Sequence, residues 1–91
     1  MNNLDEIRVS INEVDLKIIE DFKTRMELAK KVALYKKENN LPIYDEAREK
    51  ALIDKNINAL NDKELEVYYL KIFKEILKQS KEYQKKIIDN E

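Results

Sequence analysis

Apolar residues recur every three or four positions through the first part of the chain, with neither glycine nor proline to interrupt them. This stripe consists of Leu4, Ile7, Ile11, Val14, Ile18 and Phe22. The spacing predicts one helix from about Asp5 to about Asn39, which at about 1.5 Å per residue is about 50 Å long. A compact chain of this size has a radius of gyration of only about 12 Å. One chain would leave the stripe bare, so we expect a second copy to cover it in an intertwined helical homodimer.

Turn-forming residues separate this helix from a second one. Asn39, Asn40 and Pro42 end the first helix, because proline disfavours helical geometry in the residue before it. Asp45 is a good N-cap, and the residues after it predict a second helix from about Glu46 to about Leu60.

A third helix accounts for the rest of the chain. Asn61 or Asp62 is expected to cap it, and Asn61 with Glu64 has the spacing of a capping box. Its apolar positions are Leu65, Tyr69, Ile72, Phe73, Ile76, Leu77, Tyr83 and Ile87. The sequence has no strand-like alternation and no internal repeat, so it predicts an all-α protein with residues 1–91 in a single domain.

The composition excludes several kinds of site. The 91 residues include no glycine, no cysteine and no histidine, which excludes a glycine-rich phosphate loop, a thiolate nucleophile and the usual zinc sites. Eighteen basic residues against 19 acidic ones give no general attraction to nucleic acid or membranes. The first residues lack the apolar core of a signal peptide, and a cytoplasmic protein is the default expectation.

Two cations interrupt the apolar face of the first helix. The rhythm of the stripe continues through Arg25, Ala29, Val32 and Lys36. Arg25 and Lys36 are eleven residues apart, which returns them to within about 20° of one face, about 16 Å apart along the axis. A buried charge needs a partner, because its desolvation is costly. That partner is either an acidic side chain or an anionic ligand held between the two cations.

The other two helices also place polar groups on faces that should be apolar. Ser80 and Gln84 interrupt the third helix, while Asp45, Arg48 and Glu49 share the first turn of the second. Together these side chains supply cations, hydroxyl and amide donors, and two carboxylates. Arg8 lies about 25 Å before Arg25 along the helix, so within one chain the two cannot hold the same small molecule. In an antiparallel or intertwined dimer, Arg8 of one chain can reach the Arg25 region of the other.

Each of these features also has a purely structural interpretation. Arg25 can extend past the core to solvent or pair with Asp21 or Glu27. Arg48 and Glu49 can form a surface pair, and Asp45 can act only as a cap. Ser80 and Gln84 can fix the register of a helical interface, and Arg8 can be an ordinary exposed arginine. Only the joint occurrence of these residues favours a site.

The complete set resembles the all-helical chorismate mutases, which are small domain-swapped dimers of aromatic amino-acid biosynthesis. The resemblance extends from Ile7 to about Gln84 and is carried by four segments, IRVSINEVDLKII, TRMELAKKVALYK, LPIYDEAREKALI and KQSKEYQ. It implies an isomerase that converts chorismate to prephenate by an intramolecular [3,3] rearrangement. Such an enzyme needs no cofactor and no metal.

The resemblance also implies which residues bind the substrate. Arg25, with Arg8 of the partner subunit, is expected to grip the two carboxylates of chorismate. Arg48 and Ser80 are expected to complete the polar wall of the site.

The same resemblance implies roles for the remaining positions. Lys36 and Gln84 are expected to be catalytic, because they match donors to the ether oxygen of the breaking bond. Glu49 matches the acceptor for the ring hydroxyl, with Asp45 nearby. Tyr44 and the basic residues of the third helix lie outside the pattern and receive no role.

Two other functions remain open from the sequence. An isochorismate pyruvate lyase is expected to share this fold and much of this pocket. A helical dimerisation module without catalysis would use the polar groups of the stripe only to fix its register.

Overall fold

The computed structural model describes residues 3–90, and that part of the chain consists of helices joined by turns, with no strand. Its three helices are α1 (Asn3–Glu38), α2 (Glu46–Leu60) and α3 (Glu66–Asn90). The all-α prediction is confirmed, α2 has the bounds predicted from the sequence, and α1 begins two residues earlier than expected. Within residues 3–90, no helix is long and apolar enough to cross a membrane.

In the turn between α1 and α2, an asparagine ends the first helix and an aspartate caps the second. Asn40 has a left-handed backbone with φ of 55°, a conformation that asparagine tolerates better than most residues. The N–H of Leu41 donates to the carbonyl of Lys36 at 2.8 Å, and that of Asn40 donates to Lys37 at 3.3 Å, which is a Schellman ending. Asp45 then accepts a hydrogen bond from the N–H of Arg48 at 3.0 Å, so the predicted N-cap of α2 is confirmed.

The turn between α2 and α3 corrects one expectation. Asn61 has φ of 46°, and its N–H donates to the carbonyl of Ile57 at 3.2 Å, so it ends α2. The alternative in which Asn61 caps α3 with Glu64 is wrong, because an N-cap needs extended backbone and Asn61 is left-handed. Asp62 instead closes the turn that precedes α3, since its carboxylate accepts from the N–H of Leu65 at 3.1 Å and α3 begins at Glu66.

A small core lies where α3 packs against the other two helices. Ala29 and Ala33 of α1 are buried together with Phe73 and Leu77 of α3. The two alanines allow the backbones of α1 and α3 to approach closely, and the ring of Phe73 stacks on Tyr69 at 5.7 Å. In this packing the second half of α1 faces α3. The polar residues that interrupt the stripe, Arg25 and Lys36, lie on this half of α1.

The first half of α1 extends beyond this core. The molecule measures 56 × 28 × 15 Å and has a radius of gyration of 16.6 Å, well above the roughly 12 Å of a compact chain of this length. The six apolar residues of the stripe are between 50% and 58% exposed: Leu4, Ile7, Ile11, Val14, Ile18 and Phe22. A single chain therefore leaves the predicted stripe uncovered, as the length of the helix implied.

Candidate active site

All three helices contribute to one pocket of about 310 Å³. It lies against the second half of α1, the first turns of α2 and the second half of α3. Its polar lining consists of Arg25, Lys36, Asp45, Arg48, Glu49, Ser80, Lys81 and Gln84. Its apolar lining consists of Leu28, Ala29, Val32, Ile43, Leu52 and Leu77. Seven of the eight residues predicted from the sequence meet here.

Arg25 is held by α3 across the pocket. Its Nη1 donates to Oγ of Ser80 at 2.6 Å, and its guanidinium carbon lies 5.9 Å from the centre of the Phe73 ring. Ser80 is only 6% exposed. Within residues 3–90, no ion pair joins Arg25 to Asp21 or Glu27. Its neighbours are therefore a hydroxyl and a ring, and the positive charge of the guanidinium is not neutralised by a carboxylate.

Lys36 is anchored by the segment that leads into α2. Its ammonium donates to the carbonyl of Ile43 at 2.9 Å and is half-buried. An ammonium has three donors, so this bond positions the group while two donors remain. The cation is thus fixed at the wall of the pocket rather than extended into solvent.

Gln84 is a buried polar residue of α3 that lines the pocket. It is 8% exposed, and its Nε2 donates to the carbonyl of Ala29 at 3.0 Å. A side-chain amide has two N–H donors, and only one is needed for this bond. The arrangement orients the amide against the backbone of α1 and leaves one N–H for a ligand.

The first turn of α2 supplies the carboxylates. Asp45 is engaged as the N-cap, whereas Glu49 is half-buried and contacts Lys81. The ammonium of Lys81 lies 2.9 Å from Oε2 and 3.2 Å from Oε1 of Glu49. Arg48 lines the same wall with an exposed side chain. Glu49 therefore pairs across the pocket with α3 rather than with Arg48 beside it.

Lys81 is the pocket residue that sequence reasoning missed. Its ammonium also lies 4.5 Å from the centre of the Tyr44 ring, so two residues outside the predicted set are in contact. One signal was present, because Lys81 is three residues before Gln84 and so lies about 60° from it around α3. The contact with Glu49 depends on how α2 packs on α3, which spacing within one helix does not reveal.

Arg8 is the one predicted residue outside this pocket. It lies on the exposed first half of α1, about 25 Å from Arg25 along the helix axis. The expectation that Arg8 cannot join Arg25 within one chain is confirmed. Its contribution to the site of a partner subunit stays a prediction.

The charges of the pocket define what it can bind. Its four cationic side chains outnumber its two carboxylates, so two positive charges remain, alongside hydroxyl and amide donors. The rest of the pocket lining is apolar, which strengthens electrostatic interactions with a bound anion. Fold and site together define an all-helical protein with a pocket whose excess of positive charge favours a small anion.

Comparison with known proteins agrees with this class. The family model for chorismate mutase type II matches residues 7–85. The chain is 33% identical over 90 residues to a chorismate mutase of Methanocaldococcus jannaschii, covering 98% of this chain and 91% of that protein. It is 34% identical over 89 residues to a bifunctional chorismate mutase/prephenate dehydratase of Buchnera aphidicola, covering 97% of this chain and 23% of that protein. No solved structure matches the chain significantly.

The chain belongs to the chorismate mutase type II family. The family match and both relatives support chorismate mutase function, an isomerase activity in aromatic amino-acid biosynthesis. The chain spans less than a quarter of the bifunctional relative and nearly all of the archaeal one.

Proposed function

We propose that this pocket binds chorismate and rearranges it to prephenate. The reaction breaks the ether C–O bond and forms a C–C bond within the same molecule, so no group is transferred to the protein. The observation that carries the proposal is the excess of two positive charges in a pocket built by three helices. That excess balances the two carboxylates of the substrate.

The arginines would orient the substrate. Arg25 has five N–H donors in a planar fork, and Ser80 accepts from one of them, which leaves donors for a carboxylate. Arg48 lies on the opposite wall, on α2. Holding the flexible dianion with its reacting carbons together lowers the barrier, because the internal rotations of the substrate are restricted before the reaction.

Lys36 and Gln84 would stabilise the transition state. Negative charge grows on the ether oxygen as its bond to carbon breaks, and fixed donors aimed at that oxygen lower the barrier. Both side chains are already fixed by backbone carbonyls, those of Ile43 and Ala29, and both have donors left. Such preorganised donors need not reorient during the reaction.

Glu49 would accept a hydrogen bond from the ring hydroxyl of the substrate. Its carboxylate lies at the pocket wall close to the start of α2, where Asp45 is the neighbouring carboxylate. A carboxylate accepts several hydrogen bonds, so the contact with Lys81 does not exhaust its capacity.

The working unit in this proposal is an intertwined, domain-swapped homodimer, each subunit of which is a single domain. The exposed apolar side chains of the first half of α1 form a continuous stripe, and a second copy packed along it would remove them from water. In the same arrangement, Arg8 of the partner subunit would complete the grip on the substrate carboxylates. The pocket of one chain is therefore incomplete without its partner.

The test is to incubate the purified protein with chorismate and to follow the loss of its ultraviolet absorbance while identifying the product. Formation of prephenate far above the uncatalysed rate is the expected result. Absence of acceleration would contradict the proposal. Release of pyruvate from isochorismate, with no prephenate from chorismate, would instead favour the lyase.

A further inference from the structure

Lys81 contacts two residues near the start of α2, Glu49 and Tyr44. Its ammonium lies between the Glu49 carboxylate, at 2.9 and 3.2 Å from the two oxygens, and the face of the Tyr44 ring, at 4.5 Å. The side chains of Lys81 and Glu49 are 33% and 22% exposed, so both are mostly removed from solvent. Tyr44 lies immediately before the N-cap residue, on the segment that leads into α2.

These contacts restrict the orientation of the Glu49 carboxylate. An ammonium that contacts both oxygens limits rotation of the carboxylate plane, and the cation–π contact with Tyr44 limits the ammonium in turn. Without Lys81, the Glu49 side chain would regain rotamer freedom and could turn towards the other cations of the pocket. Arg48, on the same helix turn, is the nearest of these in sequence.

We propose that Lys81 is a positioning residue that holds the Glu49 carboxylate in place to accept the hydroxyl of the substrate. This inference rests on the proposed function. Lys81 acts through Glu49 in this scheme and does not itself bind the substrate. Because partly exposed ion pairs contribute little to stability, the loss of Lys81 affects substrate binding rather than folding.

The decisive experiment is a double-mutant cycle with Lys81→Met and Glu49→Gln, measured with chorismate. Lys81→Met keeps an unbranched side chain, shorter by one atom, and removes its charge. We expect it to lower kcat/KM about tenfold, mainly through KM, because the hydroxyl contact is present in both the bound substrate and the transition state. In the Glu49→Gln background, the same substitution changes kcat/KM by less than about twofold, because no carboxylate remains to be positioned.

Two further variants separate positioning from a general loss of charge or structure. Lys81→Arg restores a cation beside Glu49 and is expected to recover most of the lost kcat/KM. Lys86→Met is the matched control, since Lys86 is an exposed residue of α3 about 140° around the helix from Lys81. Its kcat/KM is expected to equal that of the wild type, and the melting temperature of Lys81→Met to stay within about 3 °C of the wild-type value.

The same four proteins of the cycle are titrated calorimetrically with a hydroxylated bicyclic dicarboxylate that mimics the transition state. Coupled losses of affinity support the positioning role even if wild-type turnover of chorismate is absent, an outcome that would contradict only the proposed function. Equal losses from Lys81→Met in both backgrounds would overturn the inference, because Lys81 would then act independently of Glu49. An unchanged Lys81→Met, or a wild-type protein that does not bind the mimic, would also overturn it.

Discussion

At the scale of single residues, the polar groups of the pocket are each fixed by one protein partner. Arg25 is held by Ser80, Lys36 by the carbonyl of Ile43, and Gln84 by the carbonyl of Ala29. Each group has more donors than this partner uses. A ligand therefore meets donors whose positions are set before it binds, which is what electrostatic stabilisation of a transition state requires.

This arrangement predicts a large effect of Lys36→Ala on the chemical step. Removing one preorganised donor to a developing charge lowers kcat by about 10²- to 10³-fold. The bond to Ile43 is lost as well, at a cost of about 1 kcal/mol in the free energy of unfolding, so the protein stays folded. The measurement is steady-state kinetics with chorismate, together with circular dichroism of the variant.

Lys31→Ala is the matched control, because Lys31 is an exposed residue of α1 about 140° around the helix from Lys36. It is expected to retain the kcat of the wild type. Near-normal turnover by Lys36→Ala would remove this lysine from the mechanism.

For Ser80 we expect a different kinetic pattern, because it contacts Arg25, which we propose binds the substrate carboxylates. Ser80→Ala removes the acceptor of the 2.6 Å bond from Arg25 and lets the guanidinium move. Carboxylates are held alike in the bound substrate and the transition state, so KM is expected to rise about tenfold with a smaller change in kcat. Ser80→Thr keeps the hydroxyl and should lose less affinity. A loss confined to kcat would contradict this role.

At the scale of the helices, α1 links the site to the proposed interface. Its second half holds Arg25 and Lys36 against α3, while its first half carries Arg8 and the exposed apolar stripe. Since one unbroken helix carries both, a partner subunit placed as we propose would be coupled to the geometry of the pocket. The turn that ends α1 also affects the site. It determines where α2 begins and therefore where the carboxylates of Asp45 and Glu49 lie.

That turn predicts a difference in stability between two substitutions of Asn40. Alanine in a left-handed conformation is less favourable than asparagine, so Asn40→Ala is expected to lower the free energy of unfolding by about 1 kcal/mol. Asn40→Gly has no Cβ to strain and is expected to match the wild type or exceed it. The measurement is urea denaturation of all three proteins at one fixed concentration, since dimers are stabilised by mass action. Equal stabilities of the alanine and glycine variants would contradict the assignment.

The sequence predicted the helices well because their signals are local. The bounds of α2 follow from Asp45 and from the apolar rhythm, and α1 ends at the asparagines that were expected to end it. Asn61 was ambiguous, since asparagine suits both a left-handed helix end and an N-cap, and only the backbone geometry decides between them. Residues of the site could be predicted from the sequence where they interrupt the apolar face of a helix. Lys81 does not interrupt one, and its role depends on contacts between helices.

At the scale of the whole molecule, the extended shape and the uncovered apolar stripe of α1 favour the proposed dimer. A chain 56 Å long with one face of α1 uncovered is poorly shielded from water by itself. A twofold dimer places the same surface patch of both chains in contact, so any residue that one chain lends is also received in return. Arg8 would thus enter both sites of the dimer symmetrically.

This symmetry predicts complementation between two inactive variants. Arg8→Ala and Arg25→Ala are each expected to be nearly inactive, because every site in either homodimer lacks one arginine. In a hybrid dimer, the site built on the Arg8→Ala chain keeps its own Arg25 and receives Arg8 from its partner, while the other site lacks both. Equal mixing with free exchange makes about half of the dimers hybrids, so about one quarter of wild-type activity should return.

The mixing experiment needs proof that subunits have exchanged, for which chains carrying different affinity tags are purified in sequence and assayed. Activity in the doubly tagged fraction should reach about half of the wild-type value per dimer, since one of its two sites is intact. Each variant incubated alone under the same conditions is the control. A doubly tagged dimer without activity would show that Arg8 does not serve the neighbouring site, whereas full activity of Arg8→Ala alone would show that this arginine has no part in binding.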